Sequence, residues 1–497
     1  MSFHPEQIKW LKELDSGISS FDNNNLNCGQ SFGVFKFHPE IGAYSACCDA
    51  PIINYDHENF LKLGKDYFDK HPSLLQRKKD LRNNIKNSQC NACWKKEEQG
   101  IQSMRTALAP TESPEVHQNP YLDVEKSYPN RIELWMNSTC NLGCFMCHLG
   151  NSNTLRKIWH SDYDTYGNDG RGHEGWIEKS DFRKHNMHSQ FLSNMEHWIL
   201  DALSNPLNKG ITIAYLGGEP TLHNEMFDHA DKFINAAKVA FEKNSKCERR
   251  INIVTNGTSK DRLNERFYNM YKKYKEAGWD TKIMLSNDGV DEASQVRHGA
   301  DTVQIMRNCD KWMAVDSVIT EVTHFTVLTN LSFPYVHKLA YKLKDIVDKH
   351  FKGRDDIALY NYLEKQAIAN EIPLKDVDFE SYTQKGIDFK FNPCIAPDWL
   401  QIKYLPKKFA EYPAQETLKV FDYLNETYPK FLTTELNVFK SVRDRMEESP
   451  PQKDVEHYFE RLHYVQSVYR KSYPNWDFYK NFPHLIEFAN DYGIERE

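Results

Sequence analysis

The sequence predicts an α/β protein. Its centre is a partial (β/α)6, TIM-like barrel, with a small loop-rich cysteine module before it and a helical cap after it. Three observations carry this expectation. From about residue 130, short apolar stretches of strand length alternate with longer amphipathic ones of helix length, the pattern of βα units around a parallel sheet. The chain has 497 residues, enough for two or three domains. Its 11 cysteines are clustered rather than scattered, which in a cytosolic chain points to metal or redox chemistry before disulfides.

The bulk properties narrow the class. Apolar residues are 40% and charged residues 27% of the chain, a globular rather than a disordered balance. A net charge of −7 argues against a dedicated nucleic-acid binder. No apolar run approaches the roughly 18 residues of a membrane helix, so no membrane partner is expected. The opening, MSFHPEQIKWLKEL, lacks an apolar signal core, and the expected location is the cytoplasm.

Taken in order, residues 1–125 form the expected cysteine module. They end in a proline-bearing linker, Ala107–Pro120. Residues 126–365 form the expected barrel. Its strands are predicted at Arg131–Met136, Ile211–Leu216, Ile251–Thr255, Lys282–Ser286, Glu321–Leu328 and Asp356–Tyr360. Helices are predicted near Gln190–Ser204, Glu225–Glu242, Lys260–Glu276, Asp301–Trp312 and Pro334–Lys349. The polar insertion Ser161–His185 reads as a loop. Residues 366–497 form the expected cap, with helices at Gln415–Thr427, Thr434–Glu447 and Asp454–Lys471 and an aromatic-rich end.

The sharpest local signal is Cys140-Asn-Leu-Gly-Cys144-Phe-Met-Cys147, which follows the first predicted barrel strand. Barrel active sites lie at the C-terminal ends of the strands. Three thiolates in so short a span can hold an iron–sulfur cube and leave one iron open. The same spacing also fits a structural zinc or a chance cluster. Two glycines in Leu216-Gly217-Gly218-Glu219-Pro220 allow close backbone approach, Glu219 can accept hydrogen bonds from an ammonium group, and Pro220 suits the start of a helix.

These segments together resemble the radical S-adenosylmethionine (SAM) superfamily. The three-cysteine loop is similar to its cluster loop, and GGEP to its GGE-type motif. Val254-Thr255-Asn256-Gly257-Thr258 resembles its TNG stretch, and Ser286-Asn287-Asp288-Gly289 with Arg297 its S-x-D-G…R-G stretch. The resemblance spans roughly residues 130–330. Met146 stands where the family often has an aromatic residue. The resemblance implies a four-iron cluster on Cys140, Cys144 and Cys147. It places the SAM methionine against Gly217, Gly218 and Glu219, with further polar contacts from Asn256, Ser286 and Arg297. It implies reductive SAM cleavage to a 5′-deoxyadenosyl radical, fed by a reductant such as flavodoxin or ferredoxin.

Cys28, Gly42-Ala-Tyr-Ser-Ala-Cys47 and Cys90-Asn-Ala-Cys93 are similar to the SPASM/Twitch auxiliary-cluster modules of radical SAM maturases. Here the set precedes the core rather than following it. The resemblance implies an auxiliary four-iron cluster on Cys28, Cys47, Cys90 and Cys93, with Cys48 an alternative to Cys47. A four-cysteine zinc site is the competing assignment. Relatives with such modules modify peptides or proteins, whereas others act on sugars, nucleosides or cofactor precursors. A zinc-stabilised binding protein without catalysis is the third alternative. Cys247, Cys309 and Cys394 read as buried thiols. His148, His160, His173, His185 and His188 read as polar loop residues, and Trp476, Phe478, Tyr479 and Phe482 as packing of the cap.

Overall fold

The structure, a computed structural model, describes residues 28, 30–47, 50–98, 105, 125–160, 181–208, 210–245, 247–354, 357–358, 383–394, 397–428, 432–436, 439–440, 443 and 448–496. The expected linker Ala107–Pro120, apart from its neighbours, lies outside these residues, as do Cys48, His173 and most of the insertion.

Among the described residues, nine strands form one sheet: β1 Val34–His38, β2 Ala43–Ala46, β3 Arg131–Trp135, β4 Gly210–Leu216, β5 Glu248–Thr255, β6 Asp280–Ser286, β7 Glu321–Leu328, β8 Gly386–Pro393 and β9 Leu432–Glu435. Their order is β9-β8-β7-β6-β5-β4-β3-β1-β2. Every neighbouring pair is parallel except β1 with β2. Each parallel strand thus lies beside its predecessor, and among the described residues the two edges do not meet. This winding is compatible with a partial barrel.

The two faces of the sheet differ in chemistry because side chains alternate along a strand. On one face lie Leu134, Tyr215, Ile253, Ile283, Val322, Ile387 and Phe389. This face is buried in a single apolar cluster with Trp198 of α5 (His188–Ser204), Phe233 of α6 (Asn224–Lys243), Phe267 of α7 (Asp261–Glu276), Trp312 of α8 (Thr302–Met313), Leu343 of α9 (Val336–Phe351) and Phe421 of α10 (Glu411–Thr427). Helices that cover one face only are those of a singly wound sheet. The other face carries ion pairs: Arg131 Nε meets Glu133 Oε1 at 2.7 Å, Arg250 Nη2 meets Asp280 Oδ2 at 3.4 Å, and Lys282 pairs with Glu321.

Five of the six expected strands are present, with shifts of a residue or a few at their ends. The sixth is not part of the main sheet. Among the described residues, Ile357–Ala358 of the expected Asp356–Tyr360 is a strand that pairs with Thr383–Gln384 in a separate two-stranded sheet. Its place beside β7 belongs to Gly386–Pro393. That segment alternates Ile387, Phe389 and Phe391 toward the apolar cluster with Asp388 and Lys390 on the opposite side. The expected helix Thr434–Glu447 is preceded by a strand instead, because Leu432–Glu435 extends the sheet in register with Ile387–Lys390.

The sheet also runs through the expected boundaries near residues 125 and 365. The N-terminal region is not purely loop-rich. It supplies β1, β2 and helices α1 (His57–Leu63), α2 (Pro72–Arg82) and α3 (Asn91–Glu98). Phe35 and Phe37 of β1 carry it onto the common core, with ring centroids 4.7 and 5.5 Å from Trp198. After residue 448, α11 (Gln452–Ser472) and α12 (His484–Asp491) form a second apolar cluster with the three-cysteine loop.

Candidate functional site

The three-cysteine loop leaves the C-terminal end of β3 and is tied down on every side. Gly143–Cys144 pairs antiparallel with Arg297–His298. The next helix, α4 (Asn153–Ile158), is capped by Ser152, whose Oγ accepts from Leu155 N at 3.1 Å and donates to Leu142 O at 2.8 Å. Asn153 Oδ1 accepts from Cys140 N at 3.0 Å, and Thr154 Oγ1 donates to Cys140 O at 2.6 Å. His148 caps its own turn, its Nδ1 accepting from Gly150 N at 3.1 Å. Cys144 is buried, while Cys140 and Cys147 are partly exposed. Burial pushes the Cys140 thiol up to about 12, and the nearby Glu219 and Cys147 charges add to that shift. Burial raises Cys144 too, against the pull of Arg297. Bound metal would have to displace these protons.

The expected SAM-contact residues sit at the same end of the sheet, and several are already occupied by the chain itself. Gly217 (φ 82) and Gly218 (φ 50) both adopt left-handed backbone. A Cβ on Gly218 would lie 2.2 Å from Thr139 O. The glycines therefore let the GGEP turn pass beneath the residues that lead into Cys140. Glu219 N donates to Thr139 O at 2.8 Å. The Glu219 carboxylate is fully buried. It accepts from Thr221 Oγ1 and Thr255 Oγ1 at 2.6 Å each, from Asn256 N at 2.6 Å and from Thr221 N at 3.2 Å. Burial pushes its pKa up while these four donors hold it down. Glu219 thus joins the ends of β4 and β5.

Asn256 Nδ2 donates to Asn141 Oδ1 at 3.0 Å, and Asn141 Nδ2 donates to Thr258 Oγ1 at 2.8 Å, so the TNGT turn grips the cysteine loop. Ser286 ends β6, half-buried on the polar face. Arg297 is buried and forks onto Asp288, Nε to Oδ2 at 2.8 Å and Nη2 to Oδ1 at 3.2 Å. Asp288 Oδ1 also accepts from Val327 N at 2.7 Å. Burial disfavours the guanidinium charge, but Asp288 and the Cys144 thiol outweigh it and hold the Arg297 pKa above its usual value. The arginine fork is engaged inside the protein.

The C-terminal aromatics support this loop. Phe145 packs against Tyr469, Phe478, Trp476 and Trp399, with ring centroids 4.8, 5.2, 5.7 and 6.1 Å away. Tyr469 OH donates to Gly143 O at 2.7 Å across 326 residues of sequence. Trp476, Phe478, Tyr479 and Phe482 are all buried, as cap packing requires. Tyr469 was not singled out by the sequence, since one tyrosine in an amphipathic helix carries no local mark.

The four N-terminal cysteines come from three separate segments to one place. Cys28, Cys47, Cys90 and Cys93 line a cavity of about 20 Å³ together with Arg77 and Arg105. That is room for one or two water-sized groups. Cys47 directly follows β2 with φ 100, left-handed backbone that favours glycine. Burial pushes the Cys90 thiol up to about 11, with Arg77 and Arg105 pulling it down and Cys47 and Cys93 pushing it further up. Among the described residues, no group of three or more Cys, His, Asp or Glu side chains is gathered so as to hold a metal ion. The chemistry of the four-cysteine set, soft sulfur donors beside two cations, suits an anionic metal–thiolate centre.

Cys247, Cys309 and Cys394 are buried in the core, as expected. Two other cavities lie away from the cysteine loop. One of about 300 Å³ is lined by Arg131, Thr212, Arg250 and Asp280 at the N-terminal ends of their strands. At about 3.3 Å per residue it stands roughly 20 Å from the GGEP turn. One of about 620 Å³ is an outer groove between α6 and α7.

No protein-family model matches the chain, and no curated protein matches it either. Among the described residues, no helix is long and apolar enough to cross a membrane.

Proposed function

We propose that this chain is a radical SAM oxidoreductase on a partial (β/α)6 barrel, acting on a peptide or protein. The observation that carries the reading is the meeting of four turns at one end of the sheet. The three-cysteine loop, GGEP, TNGT and the Asp288–Arg297 pair are linked there by named hydrogen bonds. When bound, a four-iron cluster and SAM would supply a 5′-deoxyadenosyl radical able to abstract hydrogen.

The chain's own residues have narrower tasks. Cys140, Cys144 and Cys147 would hold the cluster, and the hydrogen bonds around Cys140 preset the loop that carries them. Gly217 and Gly218 keep the GGEP backbone close to that loop. Glu219 and Asn256 lock the neighbouring turns, so a ligand there would meet backbone groups and Asn256 before it met the Glu219 carboxylate. Arg297 brings a positive charge next to Cys144, which favours an anionic thiolate. The apolar wall around Phe145 excludes water from one side of the loop.

The test is anaerobic purification with iron and sulfide counted per chain, followed by reduction with SAM and assay for 5′-deoxyadenosine. A Cys140/Cys144/Cys147→Ala variant should lose about four irons and all SAM cleavage. A wild-type chain that cannot hold iron after reconstitution overturns the reading.

A further inference from the structure

We propose that Arg77 is the counter-cation of an anionic tetrathiolate metal centre on Cys28, Cys47, Cys90 and Cys93. The inference rests on the metal-centre reading of those four cysteines and goes beyond it by assigning a charge partner.

Arg77 lies in the middle of α2 and is 1% exposed. Its guanidinium donates to Ala46 O, next to Cys47, and from Nη1 to Gln89 Oε1 at 3.4 Å, next to Cys90. Both acceptors are neutral. Its Nε, also buried, has no hydrogen-bond partner. Among the described residues no carboxylate pairs with it. A buried guanidinium with a free donor and no counter-charge is costly, and an anion beside it would offset that cost. The other cation lining the cavity differs: Arg105 is already balanced by Glu97, at 3.0 Å from Nε and 2.6 Å from Nη2. The uncompensated charge beside the four thiols is therefore that of Arg77.

The chemistry closes on this charge. When the four thiols bind a metal, their protons leave to solvent. With either zinc or an oxidised four-iron cube, four thiolates leave a dianion. One buried cation offsets half of that charge, and the free Nε–H can donate to a thiolate sulfur. No motif at Arg77 marks it in the sequence. It reaches the site only because α2 packs between the end of β2 and the turn before α3.

The experiment uses full-length protein with Cys140, Cys144 and Cys147 replaced by Ala, which isolates the second centre. Parent, Arg77→Met and Arg77→Lys are purified anaerobically. Iron, zinc and sulfide are counted, and metal loss to a chelator is timed. Arg77→Met should lose its metal at least tenfold faster than the parent, and Arg77→Lys should stay near the parent. If the metal is a cluster, Arg77→Met should also shift the one-electron reduction equilibrium at least tenfold toward the oxidised form, about 59 mV more negative. Arg77→Met indistinguishable from the parent overturns the inference. So do equal losses in Met and Lys, which would make the role one of shape rather than charge. A parent without iron or zinc overturns instead the four-cysteine reading beneath it.

Discussion

Gly218 shows how strongly one position can constrain a site. Its backbone is left-handed and a Cβ would sit 2.2 Å from Thr139 O. Gly218→Ala should cost about 1–3 kcal/mol from backbone strain alone. If the three-cysteine loop holds iron as proposed, the variant should also lower the iron retained there, because Thr139 precedes Cys140. Urea unfolding and iron counting on the same preparation check both. The Asp288–Arg297 pair carries a larger stake, since both groups are buried. Asp288→Ala leaves the guanidinium without its anion and should cost about 3–5 kcal/mol. Removing both charges, as in Asp288→Ala/Arg297→Met, should recover part of that loss. A double variant no more stable than Asp288→Ala would mean that the pair is not the source of the effect. The residue types at these positions were legible as a motif, but their pairing with one another was not. Glu219 reads in sequence as a free acceptor, yet its four donors come from three residues on two turns.

At the scale of elements, the contact between α11 and the cysteine loop is the one most open to test. Tyr469→Phe removes the hydroxyl that donates to Gly143 O and should cost about 1 kcal/mol. Tyr469→Ala also opens the wall beside Phe145 and should cost about 3–5 kcal/mol. Thermal unfolding separates the two, and equal shifts would show that the ring contributes nothing. Five strands of the parallel sheet were legible because each is a short apolar run between turn residues. The sixth was misplaced for the same reason: Asp356–Tyr360 has the local look of a strand, but Gly386–Pro393 also offers alternation matched to the two faces of the sheet. Eight residues in register with β7 outweigh a five-residue apolar preference.

Among the described residues the largest feature is a nine-stranded sheet with helices on one face and ion pairs on the other, and a buried lysine links its core to pH. Lys385 is fully buried just before β8, and its Nζ donates to Trp312 O at 2.5 Å and Ile319 O at 2.7 Å. Burial lowers its pKa to about 7, with Lys275 adding to the shift. Between that value and the ordinary lysine range, the unfolded chain holds a proton that the folded chain does not. Stability from this group therefore rises with pH across that window and is lowest below about pH 7, each unit being worth about 1.4 kcal/mol. Urea unfolding at pH 7 and pH 9 should show greater stability at the higher pH. Lys385→Met should flatten the difference, and an unchanged slope in that variant would assign the dependence to other groups.

The sequence by itself determined the α/β class, the order of the βα units and the position of three cysteines at the end of a strand. These follow from local periodicity and turn chemistry, which each segment carries in its own residues. Only the tertiary structure decided that β1, β8 and β9 extend one sheet, that Glu219 is satisfied from within and Arg297 is ion-paired with Asp288, that Tyr469 holds Gly143, and that four cysteines from three separate segments meet around Arg77. Those outcomes depend on which side chains share a buried volume. There an unpaired polar group is expensive, and the partner that relieves it can lie anywhere along the chain.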